Sequence, residues 1–163
     1  MANDMSPSIG RLFEMSTFLD GPVTAWGIFE DRFGTLRRSF RVEMSGHWDS
    51  GKFLITEDFS YDDGATERRV WTIEPQGQGR FVGRTADCIG EASGQSHADR
   101  TLMKYRFKLR INGRDWVLDF DDRLYRVDDH RAFNRATVSK WGFTVGHVSI
   151  FFQRHDAPAL RAA

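Results

Sequence analysis

The stretch Met103-Lys104-Tyr105-Arg106-Phe107-Lys108-Leu109-Arg110-Ile111-Asn112-Gly113 decides the class of fold. Apolar and aromatic residues alternate with Lys and Arg, so every second side chain points toward a core and the others toward water. That period belongs to a strand, not a helix. Asn112-Gly113 is the pair favoured in a two-residue type I′ turn. Residues 114–127 then read as the strand that returns along the first.

The same rhythm continues in both directions. Downstream, Asp128-Asp129-His130 is a turn, and Ala132 to Lys140 and Phe143 to Arg154 form a last hairpin around Trp141-Gly142. Upstream, Val23 to Asp31 is a strand with Phe33-Gly34 in the turn after it. Thr35 to Trp48 is a long strand, or two joined by a bend near Ser45-Gly46. Asp49-Ser50-Gly51 is a hairpin signal. Lys52 to Tyr61 ends at Asp62-Asp63-Gly64, Thr66 to Glu74 ends at Pro75 and the Gly77/Gly79 pair, and Arg80 to Cys88 follows. Gly90 to Arg100 is small and polar, and reads as a loop or a weak, bulged strand. Short links between strands and no long helix predict an all-β, antiparallel up-and-down barrel of about 8–10 strands. Residues 1–22 form an N-terminal arm or short helix, in which Ile9, Leu12, Phe13 and Leu19 are apolar. Residues 23–155 are the single barrel domain, and 156–163 a frayed tail.

Composition narrows the function classes. The 163 residues are enough for one domain with a real core. Twenty-three basic side chains balance 23 acidic ones, which argues against a dedicated nucleic-acid or anionic-membrane surface. Cys88 is the only cysteine, so no intrachain disulfide and no Cys-based metal site can form; it reads as a small buried apolar side chain. His47, His97, His130, His147 and His155 lack the spacing of metal ligands, and no metal or cofactor is expected. Ser96-His97-x-Asp99 has the letters of a hydrolytic triad, but adjacent loop residues rarely reach its geometry. No stretch is long and apolar enough for a transmembrane helix, and Met1 to Asp4 does not begin a leader, so a cytoplasmic protein is expected.

Carboxylates and cations gather near hairpin ends. Glu57, Asp58, Asp62 and Asp63 face Arg68 and Arg69 across one turn; Asp119, Asp121 and Asp122 precede Arg135 and Lys140. If some point inward, they make a polar floor in an apolar barrel, because a buried carboxylate must be paired or take up a proton. The competing reading is exposed structural ion pairs. Trp26, Phe59, Trp71 and Tyr105 are among the aromatics placed to line a cavity, although strand parity around bulges decides which of them face it.

These segments resemble a bacterial family of lipocalin-like, calycin-type barrels of unassigned function. The resemblance rests on Ala25-Trp26-Gly27, the run Glu57 to Gly64, Arg69-Val70-Trp71, Thr85-Ala86-Asp87, Phe120-Asp121-Asp122 through Tyr125, and Asn134-Arg135-Ala136 leading to Ser139 to Phe143. It covers roughly residues 20–153, implies the barrel and leaves the function open. Many members resemble envelope lipoproteins with an acylated cysteine ahead of the domain; this chain has no cysteine before Cys88.

The reading that follows is a binding protein for a small hydrophobic or amphipathic ligand, such as an acidic lipid. Trp26, Phe59, Tyr61, Trp71, Tyr105, Tyr125 and Asn134 would contact it, and Arg69, Arg135 or Lys140 would meet its head group. The first alternative is an isomerase- or hydrolase-type enzyme with Asp58 or Asp121 as general base and Tyr61 or Tyr125 as proton donor. The second is a solidly packed interaction barrel, with a homodimer formed through exposed aromatic strands.

Overall fold

The computed structural model describes residues 11–155. A four-residue helix α1 (Met15–Phe18) precedes ten strands: β1 (Gly21–Asp31), β2 (Leu36–Asp49), β3 (Lys52–Tyr61), β4 (Thr66–Gly77), β5 (Arg80–Arg84), β6 (Ala92–Ser96), β7 (Arg100–Ile111), β8 (Arg114–Arg126), β9 (Arg131–Lys140) and β10 (Phe143–Arg154). Each strand pairs antiparallel with the next, and β1 pairs with β10, so the sheet closes with no free edge. This is the expected up-and-down barrel. The weak segment after Gly90 does form a strand, β6, but only five residues long.

The tight turns carry the residues their backbones require. Ser50-Gly51 and Asn112-Gly113 have φ of 51° and 79°, and 50° and 77°, the two positive values of a type I′ turn. Trp141-Gly142 adopts the same turn, with φ of 50° and 80°. Asp31 closes the β1–β2 turn by accepting hydrogen bonds from the Phe33 and Thr35 amides at 2.9 and 3.0 Å.

Strand parity splits the interior into two zones. Toward the end that holds the β2–β3, β4–β5, β6–β7 and β8–β9 turns, inward residues such as Val23, Val42, Phe53, Ile55, Ile73 and Phe152 are buried. Burying each such side chain contributes roughly 1.5–3 kcal/mol. The segment before β1 plugs this end. Phe13, Phe18 and Leu19 are buried there, with Phe18 edge-on to Phe152. The Phe13 amide donates to the His97 carbonyl at 2.7 Å, and Thr101 Oγ1 donates to the Phe13 carbonyl at 2.7 Å. Gly46 leaves room for the plug: a Cβ there would lie 2.3 Å from Phe53 Cζ and 2.5 Å from the Leu19 carbonyl. Phe13 and Leu19 thus close this end, Leu12 is exposed, and Ile9 lies outside the described residues.

At the other end are the β1–β2, β3–β4, β7–β8 and β9–β10 hairpins and the 85–91 segment. Inward Phe59, Tyr105, Phe120 and Ile150 keep accessible surface here, whereas Phe107, Leu118 and Val138 are buried. Because β5 and β6 are short, the wall between β4 and β7 is completed by residues 85–91: the Ile89 amide donates to the Arg106 carbonyl and the Lys108 amide to the Asp87 carbonyl.

Candidate functional site

Between the packed end and the open mouth lies a band of inward polar side chains. On β3, Glu57 shares the face of Ile55 and Phe59, and its register partner on β4 is Arg69. Glu67 lies two residues before Arg69, on the same face. From β8 comes Asp122, alternating with Phe120 and Leu124; β7 supplies Tyr105 and β9 supplies Asn134.

Among the described residues, Arg69 is the only cation at the centre of this band. Its Nη2 lies 2.7 Å from Glu67 Oε1 and 3.5 Å from Asp87 Oδ2. The guanidinium sits 5.2 Å from the Phe59 ring centre and 4.9 Å from that of Phe107, so two aromatic faces also hold it. Burial works against its charge, and Glu57, Glu67, Tyr105 and Asp87 outweigh it, so its pKa is raised. Tyr61 donates to Glu67 Oε2 at 2.7 Å, and burial with that bond pushes its phenol well above the usual range. Arg38 stacks over Tyr61 at 3.4 Å, at the mouth.

The two deepest carboxyls are electrostatically frustrated. Burial raises Glu57 to about 7; Arg69 opposes this, Asp122 and Glu67 reinforce it, and a Trp71 side-chain hydrogen bond opposes it again. Burial also raises Asp122 to about 7, against the hydrogen bond from Tyr105 (3.0 Å) and the neighbouring Asn134. One arginine cannot neutralise Glu57, Glu67 and Asp122 together. Near neutral pH, Glu57 and Asp122 therefore exchange between donor and acceptor forms. The network is also incomplete. Arg69 Nε and Asp122 Oδ1 are buried without a hydrogen-bond partner among the described residues, a deficit that costs roughly 1–3 kcal/mol for each such group.

The aromatic floor is continuous. Trp71 is edge-on to Tyr105 with centroids 5.4 Å apart and stacks on Phe107 at 5.6 Å, and Tyr105 stacks on Phe120 at 5.1 Å.

Of the residues singled out in the sequence, the fold brings Phe59, Tyr61, Arg69, Trp71, Tyr105 and Asn134 to this interior. Lys140 stands at the lip, its Nζ 5.2 Å from the Trp116 ring centre and 4.5 Å from that of Trp141. The others stand apart, and strand parity is the reason. Trp26 is on the outer wall, in a surface groove of about 610 Å³ shared with Phe133 and Phe151. Tyr125 and Arg135 alternate with inward Leu124 and Asn134 and so face out. Asp58 pairs with Arg68 at 2.7 Å on the outer face, and Asp121 lies 3.9 Å from Lys104 Nζ and 3.8 Å from Arg123 Nε. Each proposed base is one residue from the carboxylate that is inside: Glu57 beside Asp58, Asp122 beside Asp121. The signal for Glu57 was its spacing of two and four residues from Phe59 and Tyr61. Glu67 and Asp87 gave no such signal, because their place depends on Arg69 and on the 85–91 segment. Ser96, His97 and Asp99 form no triad: His97 uses its backbone for the turn, and Asp99 pairs with Arg100. Among the described residues, no group of three His, Cys, Asp or Glu side chains could hold a metal ion, and no helix is long and apolar enough to cross a membrane.

The chain belongs to DUF3833, a protein family of unknown function, which it matches over residues 4–154. No curated protein matches it. Among solved structures it is similar to the S-type phycobiliprotein lyase CPES from Guillardia theta: TM-score 0.64, 8% identity, 87% of this chain and 91% of that one covered. It is also similar to EF1p2_mFAP2b bound to DFHBI: TM-score 0.47, 10% identity, 87% and 100% covered. At such identities the likeness concerns the fold, a lipocalin-like barrel.

Proposed function

We propose that this DUF3833 member binds a small amphipathic molecule in the open half of its barrel, with the apolar body against Phe59, Tyr105, Phe120 and Ile150. The observation that carries the reading is the contrast in burial along the barrel. Inward residues of the plugged half are sealed, whereas in the other half Glu57, Phe59, Tyr105, Phe120, Asp122 and Ile150 retain accessible surface, although Phe107, Leu118 and Val138 beside them are buried. A barrel built only to pack would fill both halves.

The polar end of the ligand is a neutral or cationic hydrogen-bonding group. Arg69 is already met by Glu67, and Arg135 and Lys140 do not join it, so an acidic head would enter a site with surplus carboxylate. Two dansylated C11 chains test this, one ending in an amine and one in a carboxylate. The amine should bind about tenfold more tightly at pH 8, and the preference should shrink at pH 5 as Glu57 and Asp122 take up protons. Tighter binding of the carboxylate at pH 8 would favour the acidic-lipid reading. Saturable binding of neither chain, with a bare protein mass in native mass spectrometry, would favour a packed interaction barrel.

One observation favours a catalytic reading as second choice: a carboxyl with pKa about 7 facing accessible space is suited to general-base work. The base would then be Glu57 or Asp122, with Tyr105 beside it.

A further inference from the structure

The mouth carries a feature that neither the core nor the interior site uses. Three hairpins adjacent around the rim, β1–β2, β9–β10 and β7–β8, end in large apolar side chains. Phe33 is 76% exposed, Trp141 84% and Phe143 72%, with Leu36, Ile111 and Trp116 also exposed. The tips form one arc. The Arg32 amide donates to the Val145 carbonyl, which ties the first tip to β10. Lys140 reaches the rings of both Trp141 and Trp116, which ties the second to the third.

Trp141 is out of place twice. In the matching two-residue turns the same position holds Ser50, Gln78 and Asn112; Trp141 holds φ of 50° with the largest side chain of the four. It also presents that side chain to water, where folding gains nothing from it. A residue unfavourable for both backbone and solvation points to a surface that is covered in use.

The charge on the arc indicates by what. Residues 31–37, 110–116 and 140–143 contain five cations against two carboxylates, Asp31 and Asp115, and both carboxylates are paired with arginines of the arc. Arg32, Arg114 and Lys140 make no ion pair among the described residues. The balanced charge of the whole chain conceals this local surplus, so the exclusion of an anionic-membrane surface does not hold for this arc, which lies opposite the acidic β3–β4 turn with Asp62 and Asp63. Aromatic tips interleaved with cations match the interfacial zone of a bilayer, where rings sit at headgroup depth and Lys or Arg meets lipid phosphate. A second copy of the chain would bring like charges together.

We propose that the mouth of the barrel docks onto anionic lipid bilayers through these three hairpin tips. The tips would seat in the headgroup region, with the entrance to the interior facing the membrane. An amphipathic ligand could then pass between membrane and barrel without crossing water, which is the one point where docking rests on the ligand reading.

Vesicle flotation of the full chain tests it, using phosphatidylcholine alone and phosphatidylcholine with about one-third phosphatidylglycerol. Wild type should float with the mixed vesicles, about tenfold less with the neutral ones, and less again in high salt. Trp141→Asn should lower partitioning about tenfold while raising the thermal midpoint, because Asn suits the turn; the higher midpoint separates lost docking from lost folding. Lys140→Glu with Arg114→Glu should also detach the protein. Absence of flotation, flotation indifferent to these substitutions, or a rim-dependent dimer in sedimentation velocity would overturn the proposal. Dansyl-amine binding by the detached Trp141→Asn variant should persist, so failure of docking and failure of the ligand site are separately visible.

Discussion

The ten strands run through two different environments. In the plugged half, inward side chains are aliphatic and aromatic, glycines admit close approach, and a segment from outside the barrel seals the end. A few residues further along the same strands, the inward positions hold Glu57, Arg69, Tyr105 and Asp122. The difference teaches where stability and selectivity reside. The first half supplies apolar burial that depends little on pH. The second carries under-neutralised carboxyls and buried polar atoms without partners, a cost that the first half must offset.

The largest effect should come from cutting the plugged half. Phe53 is fully buried, and Phe53→Ala is expected to lower the unfolding free energy by about 3–5 kcal/mol in urea titrations. Phe59→Ala, at the partly buried level above, should cost about 1–2 kcal/mol. Equal losses would break the distinction between the halves.

The pH dependence sharpens it. Glu57 and Asp122 have folded pKa values raised to about 7, so they favour the fold most below pH 4, and this contribution fades as pH rises through 7. Outer-wall carboxylates act in the opposite sense. Arg84 and Lys52 hold Glu74 down to about 2, and hydrogen bonds and arginines lower Asp58 and Asp128, so their contribution is lost as pH falls below about 4. Thermal midpoints should therefore peak near pH ~5. Glu57→Gln should stabilise the protein by about 1–3 kcal/mol at pH 8 and change little at pH 5. A Glu57→Gln curve parallel to wild type would mean that the carboxyl is charged and satisfied.

A smaller effect attaches to the plug. Thr101→Val removes the bond to the Phe13 carbonyl and should cost about 1 kcal/mol, with faster amide exchange at Phe13 and His97. Smallest of all, Arg68→Ala breaks the exposed pair with Asp58 and should leave the urea midpoint unchanged within error.

The plugged half and the hairpins were legible in the sequence because period and turn chemistry are local. Met103 to Gly113 contained the strand, its face and its turn. The interior site was legible in part. Phe59, Tyr61, Trp71 and Tyr105 were found because aromatics at two-residue spacing mark a face, and Arg69 because it stands across a tight turn from a cluster of carboxylates. Asp58 and Asp121 drew attention because each stands beside an inward carboxyl, and a one-residue error in parity turns a side chain through the wall. The rim was invisible to composition, because a local excess of cations vanishes when summed with acidic residues elsewhere. Only the order of hairpins around the closed barrel places Phe33 beside Trp141 and Trp116.

The central claim is that the open half holds the ligand while the plugged half stays a closed core. The most direct test is a ¹⁵N-resolved NMR titration with the dansyl-amine chain. The account predicts shift changes at Glu57, Phe59, Arg69, Tyr105 and Asp122, with Val42, Phe53 and Ile73 unmoved. Changes confined to the outer groove at Trp26, Phe133 and Phe151, or centred on Phe53, would contradict it.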